Sequence, residues 1–398
     1  MNPNRISKYF SIVILLAVFI IVARVDIAQA QDPEYVGSDT CSMCHPEEHE
    51  DWEASRHAKI LLTAEEAQEE GIHPPPEGYT WDDILYTIGG KTKTRYVDRS
   101  GYIITDSRGE PGSNQWNDMT ERWVDYHPGE EVPYDCGGCH TTGYSPEGNQ
   151  DGVEGITGTW SEINNACESC HGPGSNHISS GSSELKVDDT DVTVCGRCHT
   201  HGETEKIEAS DGMISHEGQY QELLSTEHSE LGCATCHEPH KGNTQKTSCE
   251  SCHADWAELF AETKMADEGV VCIDCHMPRA VKSAEGDASE YYGDVRTHLV
   301  KINTDPTETL TYIDSNGEEW GNGYVTLGWT CLTSGCHPSE DIEFASEKYM
   351  IAHESSVPEP VPEPEPEPES SGGIPGFKFE AILVGLLLCV LLIRYSRN

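Results

Sequence analysis

The sequence predicts a mainly α-helical fold with much irregular loop, on the strength of three observations. Short stretches with helical spacing alternate with loops that carry a recurring five-residue signature, Cys-x-x-Cys-His. Hydrophobic residues form only 36% of the chain, whereas 37 glycines and 22 prolines favour loops. A chain of this length with so few apolar residues needs another source of buried apolar surface.

Sixteen of the 17 cysteines fall into eight such signatures, and only Cys389 is left over. The seven regular signatures are Cys41/Cys44/His45, Cys136/Cys139/His140, Cys167/Cys170/His171, Cys195/Cys198/His199, Cys233/Cys236/His237, Cys249/Cys252/His253 and Cys272/Cys275/His276. The eighth, Cys331/Cys336/His337, has four residues between its cysteines. This layout suits covalent haem, because two nearby thiols add to the vinyl groups while the next imidazole lies under the iron.

We therefore expect eight covalently bound haem c groups, whose apolar faces replace the missing core and whose stacking organises the fold. Zinc is the alternative for a Cys-x-x-Cys pair, but zinc ribbons need four cysteines per ion and no histidine after each pair. At Cys331 and Cys336 a disulfide or two free thiols remain alternatives to haem.

The first segment, residues 1–30, has the layout of a secretory signal peptide. Arg5 and Lys8 precede an apolar run from Phe10 to Ala23, and Ala28-Gln29-Ala30 is a small-x-small cleavage site. A retained anchor helix is the alternative. Either arrangement directs the following domain out of the cytoplasm, where haem is attached to c-type cytochromes.

Residues 31–355 then form the predicted octahaem domain. Helices are expected at residues 46–58, 219–225, 254–266 and 342–352, separated by the haem-attachment loops. The long stretch between Cys44 and Cys136 lacks a signature. Its β-branched and aromatic runs at residues 84–88 and 95–105, with a turn signal at residues 98–101, predict a small β-hairpin insertion near residues 84–105.

The C-terminal segments predict anchoring. Residues 356–373 are rich in proline and glutamate and predict an extended stalk. In residues 374–398, Pro375-Gly376-Phe377 precedes an apolar run from Ala381 to Ile393 and a tail with Arg394 and Arg397. This layout resembles the PGF-CTERM sorting signals of archaeal surface proteins, which implies removal of the helix and a lipid anchor. A permanent tail anchor is the alternative.

The charge of the chain excludes one class of partner. Seventy acidic residues against 25 basic ones give a net charge of −45, to which haem propionates add. Nucleic-acid binding is disfavoured, because phosphate contacts need a basic face. Cationic redox partners or metal ions fit better, although the surplus also keeps a surface protein soluble.

Several local motifs resemble the tetrahaem cytochromes that accept electrons in the hydroxylamine oxidoreductase system. The resemblance spans about residues 35–350. It rests on Tyr35-Val36-Gly37-Ser38, Trp52-x-x-Ser55-x-His57, Cys-His-Thr-Thr-Gly-Tyr at 139–144, Cys-His-Gly-Pro-Gly-Ser-Asn-His at 170–177, Ser215-His216-x-x-Gln219-Tyr220, His228 before Cys233, Cys-His-Glu-Pro-His at 236–240 and Cys-His-Met-Pro-Arg at 275–279.

The resemblance also implies the distal iron ligands, the histidines opposite the proximal one of each signature. They are His57, His177, His216, His228, His240, His298 and His353. His127 is the candidate for the eighth, followed by His201, while His49 and His73 are expected on the surface. Methionine ligation is not expected, because the seven methionines are scattered.

These features predict an electron conduit outside the cell, anchored to the membrane or cell surface. It would link a membrane donor to extracellular acceptors through redox partner proteins; self-association into longer haem chains stays open. The alternative is an octahaem oxidoreductase acting on hydroxylamine or nitrite, which needs one open iron with acid–base residues beside it. No Cys-x-x-Cys-Lys signature, typical of lysine-ligated catalytic haems, occurs in the chain.

Overall fold

The computed structural model describes residues 32–354, except residues 182–184, 189, 204, 243–244 and 334, and except the side chains of residues 350–354. In this part 31% of the residues are helical and 22% lie in strands. The fold is therefore mixed, and the prediction of a mainly α fold was wrong about the share of strands. The described residues up to Ala352 belong to one compact unit.

Fourteen α-helices occur among the described residues, and most are a single turn or two. They are α1 Ser38–Ser42, α2 Pro46–Glu53, α3 Ala64–Glu69, α4 Gly137–His140, α5 Cys167–His171, α6 Ser175–Ser180, α7 Val192–Gly196, α8 Gln219–Leu224, α9 Cys233–Cys236, α10 Ala254–Ala261, α11 Lys264–Asp267, α12 Cys272–His276, α13 Leu327–Cys331 and α14 Ile342–Glu354.

Nineteen short strands accompany these helices in the described residues. They are β1 Leu61–Thr63, β2 Ile84–Gly89, β3 Lys93–Asp98, β4 Tyr102–Ile103, β5 Asp106–Ser107, β6 Glu110–Pro111, β7 Gln115–Asn117, β8 Arg122–Val124, β9 Val132–Pro133, β10 Thr141–Thr142, β11 Glu162–Ile163, β12 Ala209–Ser210, β13 Met213–Ser215, β14 Val281–Asp287, β15 Tyr292–Val295, β16 Ile302–Asn303, β17 Thr311–Ile313, β18 Glu319–Gly321 and β19 Val325–Thr326.

The predicted hairpin insertion is part of a seven-stranded sheet. Its strands run in the order β1-β2-β3-β4-β9, and β7 pairs with both β3 and β8. The β2–β3 and β3–β4 pairings are antiparallel, with Thr87 opposite Tyr96 and Val97 opposite Ile103. Leu61 and Val97 are fully buried beneath the sheet. The insertion is thus larger than the predicted hairpin, and it shares its hydrophobic core with Tyr134 and Ile156, on either side of the second signature.

The predicted turn at residues 98–101 is confirmed between β3 and β4. The Asp98 carboxylate accepts hydrogen bonds from the backbone N–H of Ser100 at 2.8 Å and of Tyr102 at 3.0 Å. Gly101 has φ 90°, and a Cβ there would lie 2.8 Å from the backbone nitrogen of Ile156. Glycine is required at this position, because the turn packs directly against the loop after the second signature.

A second, mixed sheet lies in the C-terminal half and was not predicted. Its order is β12-β13-β14-β15, with β13 and β14 parallel and the other two pairs antiparallel. Ile214, Val281 and Leu299 are buried in the core beneath it. The first sheet contacts β14 through Glu285, whose carboxylate accepts hydrogen bonds from Asn117 and Thr120.

The helix predictions hold in part. The stretch 46–58 splits into α2 and a 3₁₀ turn, Arg56–Ala58, and the stretch 254–266 splits into α10 and α11. The second break falls at Thr263, whose hydroxyl accepts a hydrogen bond from the Ala266 N–H and so begins a new helix. Helices α8 and α14 occupy the predicted positions.

In the described residues no helix is both long and apolar enough to cross a membrane. The predicted signal peptide, stalk and C-terminal sorting or anchor segment lie outside the described residues.

Candidate haem sites

Each attachment signature closes a single helical turn. In five regular signatures the histidine N–H donates to the carbonyl of the first cysteine at 2.9–3.1 Å. The third and seventh signatures form α5 and α12. One turn of helix brings the two thiols and the imidazole close together, as covalent haem attachment requires.

The irregular eighth signature closes in the same way. The His337 N–H donates to the Cys331 carbonyl at 3.1 Å, and the two additional residues are taken up by a tighter turn in which the Cys336 N–H donates to Thr333 at 2.9 Å. Cys331 and Cys336 are both free thiols, so the structure contains no disulfide between them. The ends of this loop therefore fit the same group as the regular signatures do.

Five proximal histidines each face a second imidazole. The ring centroids are 6.3 Å apart for His45 and His177, 6.4 Å for His199 and His57, 6.3 Å for His171 and His240, 6.2 Å for His237 and His298, and 5.8 Å for His253 and His228.

This spacing fits a metal held between two imidazoles. Two metal–nitrogen bonds of about 2 Å, with about 1 Å from each nitrogen to its ring centre, set the centroids about 6 Å apart. Ordinary aromatic pairs also have ring centroids about 4.5–7 Å apart, so the argument for a metal rests on the recurrence of this spacing at five attachment signatures. The residues present fit haem iron with two axial histidines at these five sites.

Two proximal histidines are also oriented by the backbone. His171 Nδ1 lies 2.6 Å from the Leu185 carbonyl oxygen, and His276 Nδ1 lies 2.8 Å from the Val300 carbonyl oxygen. A proton on Nδ1 satisfies each contact and leaves Nε2 unprotonated, which is the tautomer that binds iron.

Two further predicted distal ligands, His216 and His127, have no ring contact with a proximal histidine among the described residues. His216 contacts His201, with ring centroids 5.4 Å apart. His127 packs edge-on against Tyr126 and lies 3.0 Å from the Glu130 carboxylate, half-exposed. Within the described residues it has no ring contact with a proximal histidine, so the choice of His127 as eighth ligand has no geometric support. The His353 side chain lies outside the described residues.

The two histidines expected on the surface are both packed, so that prediction was wrong. The side chain of His49 is only 13% exposed, it contacts Trp52, and its Nε2 is buried without a hydrogen-bond partner in the described part. His73 stacks on Trp116, with centroids 3.5 Å apart. The helical position of His49, four residues after His45, was the available signal for its burial.

Thiols of different signatures lie next to one another. In four pairs the thiols lie close enough for one cysteine to shift the pKa of the other: Cys41 and Cys167, Cys139 and Cys198, Cys195 and Cys233, and Cys249 and Cys272.

The other signatures are also neighbours. Burial raises the pKa of Cys236, and the charge of the Cys252 thiolate raises it further. Burial likewise raises the pKa of Cys275 to about 12, with a second contribution from the charge of Cys331. The charge of Cys170 likewise contributes to the raised pKa of Cys195. These interactions between thiols link seven signatures in the order one, three, four, five, six, seven and eight. The second signature is linked to the fourth.

Buried polar side chains fix the backbone around these sites. The Glu168 carboxylate, inside the third signature, accepts hydrogen bonds from the N–H groups of Val36, Gly37 and Gly174 at 2.6–3.0 Å. Asn164 Oδ1 accepts from Ile60 at 3.0 Å and Leu61 at 2.8 Å. These contacts join the N-terminal segment and the first strand to the third signature across more than 100 residues of sequence.

The second signature has a different environment. In the described residues His140 has no ring contact with another histidine, and its Nδ1 is buried without a hydrogen-bond partner. Burial lowers the pKa of His140, and the charges of Lys93 and Arg95 lower it further, against the opposing charge of Glu217. The pKa of Lys93 itself is lowered to about 7, chiefly by burial. Two cations from one face of β3 thus lie beside this histidine.

The contacts of these cations are few. Lys93 Nζ donates to the Ser283 carbonyl at 3.2 Å, and the Arg95 guanidinium lies 3.5 Å from the centre of the Tyr126 ring. In the described residues neither forms a salt bridge within 4 Å. No group of three or more histidine, cysteine or acidic side chains in the described part forms a separate metal site.

The family described as cytochrome c554 and c-prime matches residues 40–75 and 112–172. The dissimilatory sulfite reductase MccA of Wolinella succinogenes is 22% identical to this chain, over 76% of the chain and 63% of the relative. The chain thus spans less than two thirds of that curated relative.

Two solved structures have a similar fold. The octahaem sulfite reductase MccA of W. succinogenes, form II, superimposes with a TM-score of 0.62 at 19% identity, covering 81% of this chain and 72% of that one. The outer cell wall cytochrome OcwA superimposes with a TM-score of 0.55 at 18% identity, covering 80% and 86%. With the attachment turns and the paired imidazoles, these matches make the chain similar to multihaem c-type cytochromes and indicate covalently bound haem c.

Proposed function

We propose that this protein is an octahaem c-type cytochrome that carries electrons outside the cytoplasm, from a membrane donor to an extracellular acceptor. The observation that carries the proposal is the connected series of attachment signatures, in which five proximal histidines face a second imidazole at ligand spacing. Haem bound at these sites supplies iron that cycles between the ferric and ferrous states.

The chain's own residues adapt these sites to electron transfer. A second imidazole at each of five sites closes the position where a substrate would bind, and two histidine ligands keep the potential below that of histidine–methionine sites. Neighbouring thiols of different signatures support short distances between four pairs of sites, which favours electron transfer from one haem to the next. The distal partners proposed are His57, His177, His228, His240 and His298, with His216 and His353 for two of the remaining sites.

The proposed location rests on the sequence ends and on one structural relative. The signal-like N-terminus directs the domain out of the cytoplasm, and OcwA, named an outer cell wall cytochrome, shares the fold. The Pro/Glu-rich stalk and the C-terminal segment would hold the domain at the membrane or cell surface. A net charge of −45 suits acceptors with cationic surfaces, such as ferric oxide particles.

The test is a comparison of acceptors. The haem-loaded protein, reduced under anaerobic conditions, is mixed with ferric oxide particles too large to enter any pocket, and reoxidation is followed from the haem absorbance. We expect rapid reoxidation that slows at high salt, because screening weakens attraction between opposite charges. A protein that stays reduced with the particles would contradict the proposal.

A second candidate function is favoured by the cations beside His140. Lys93 and Arg95 lie near this histidine together with the carboxylates of Glu217 and Asp294. Cations at this position can attract small anions, and nitrite or sulfite fits better than neutral hydroxylamine. Sulfite is the substrate in the name of the relative MccA. Because no imidazole faces His140 among the described residues, an iron held by His140 would keep one position open for such a ligand.

This candidate is tested by turnover with a chemical reductant. Reduction of nitrite or sulfite by the reduced protein should fall at least tenfold in Lys93→Met, since a charged contact contributes about 1.5–3 kcal/mol. Lys91→Met, which removes an exposed lysine four residues from Arg95, is the matched control. Absence of turnover in the unchanged protein would leave Lys93 and Arg95 as partners of haem propionates and exclude the enzyme.

A further inference from the structure

Helix α8, residues Gln219–Leu224, lies in sequence between the fourth and fifth signatures, and its polar groups contact the backbone and ring of the fourth signature's histidine. The Tyr220 N–H donates to the His199 carbonyl at 2.9 Å. Gln219 Oε1 lies 3.3 Å from His199 Nδ1. Gln221 Nε2 donates to the His201 carbonyl at 2.7 Å and to that of Glu203 at 3.1 Å. The start of α8 therefore fixes the segment that carries a proximal histidine.

The next residue, Glu222, reaches a different segment. Its side chain is only 1% exposed. The carboxylate oxygen Oε2 accepts hydrogen bonds from the Thr297 hydroxyl and from the His298 N–H at 2.5 Å, and the Thr297 hydroxyl oxygen accepts one from the Leu299 N–H at 3.0 Å. A buried carboxylate costs several kcal/mol unless donors surround it, and here the two donors and the hydrogen bond that supports them belong to three consecutive residues, 297–299.

Those three residues present His298 to the fifth signature. The imidazole of His298 lies 6.2 Å from that of His237, and its Nδ1 is buried without a hydrogen-bond partner in the described residues. The ring is thus not oriented through its own nitrogen, unlike His171 and His276. Two hydrogen bonds fix the backbone that carries this ring. The Thr297 N–H donates to the Pro278 carbonyl, and the His298 N–H donates to the Glu222 carboxylate.

We propose that Glu222 is a positioning residue that sets His298 as the distal ligand of the fifth haem, and that α8 thereby couples the axial ligands of the fourth and fifth haems. The inference rests on the proposed function, because it requires haem at both sites. Alanine at this position would remove both hydrogen bonds, whereas the amide oxygen of glutamine can take the place of Oε2, which accepts both of them.

The test uses the haem-loaded full chain with Glu222→Ala and, as the conservative variant, Glu222→Gln. In Glu222→Ala we expect unchanged haem content, conversion of one haem from low to high spin in electron paramagnetic resonance, and binding of one carbon monoxide per reduced protein. Added imidazole should restore the low-spin signal. Glu222→Gln should keep every haem low-spin, because its amide oxygen can accept both hydrogen bonds.

Asp294→Ala is the matched control. Asp294 is 2% exposed, and its carboxylate also accepts backbone hydrogen bonds, from Ser283, Ala284 and Glu285, but none of these residues is a proposed ligand. The same high-spin signal in Asp294→Ala, or an unchanged spectrum in Glu222→Ala at full haem content, would overturn the inference. Loss of low-spin haem in the unchanged protein would instead contradict the proposed function.

Discussion

At the scale of single residues, the attachment chemistry depends on local contacts and is therefore visible in the sequence. Each signature needs only a turn and the right side chains, and the structure forms that turn at regular and irregular sites alike. The distal histidines depend on contacts between distant segments. His45 and His177, for example, are separated by 132 positions, so only a resemblance to known proteins can suggest such a pair.

The eighth signature should carry haem. Because the His337–Cys331 hydrogen bond matches those of the regular sites, the mature protein should contain eight covalent haems, one of them at Cys331 and Cys336. Intact mass spectrometry measures the number directly. Replacing both cysteines by serine should remove one haem, and a native mass with seven haems would show that the irregular site is not used.

His177 should be an iron ligand. Its replacement by alanine should leave one haem with a single axial histidine, which appears as one high-spin haem and one carbon monoxide bound per reduced protein. His127→Ala is the control, because that ring contacts Tyr126 and Glu130 instead. If His177→Ala kept every haem low-spin, the pairing with His45 would be wrong.

At the scale of secondary structure, the local signals were correct where the element is local. The turn at Asp98 and the helices α8 and α14 follow from residues within them. The two sheets were not predictable in full. Strand β1 pairs with β2 across the intervening helix α3, and β13 pairs in parallel with β14 across 66 residues, so no short window contains either pairing.

Asn164 should stabilise the junction between the first sheet and the third signature. Asn164→Ala would leave the buried N–H groups of Ile60 and Leu61 without their acceptor, at a cost of about 2–4 kcal/mol. Denaturant unfolding should show this loss, whereas Asn316→Ala, in an exposed turn, should change stability by less than about 0.5 kcal/mol. Equal stability of the two variants would contradict the assigned role.

At the scale of the whole molecule, the low hydrophobic content and the repeated signatures have one explanation. The two protein cores lie beneath the sheets, and the segments between them consist mostly of attachment turns and single-turn helices. Haem faces would supply the apolar surface that those segments lack. The acidic surface and the predicted ends agree with a place outside the cytoplasm.

The C-terminus should be processed. If Pro375-Gly376-Phe377 and the following segment act as a sorting signal, the mature chain lacks Cys389 and Arg397. Peptide mapping of the protein from its native membrane checks this expectation. A peptide recovered from residues 390–398 of the mature form would support the permanent tail anchor instead.

The haems at the eight signatures should pass their electrons to an external acceptor. The most direct measurement counts the electrons that the fully reduced protein delivers to ferric oxide particles when no small-molecule substrate is present. We expect the protein to deliver one electron per haem, from all eight haems. Electrons that remain in the protein until nitrite, sulfite or hydroxylamine is added would contradict it.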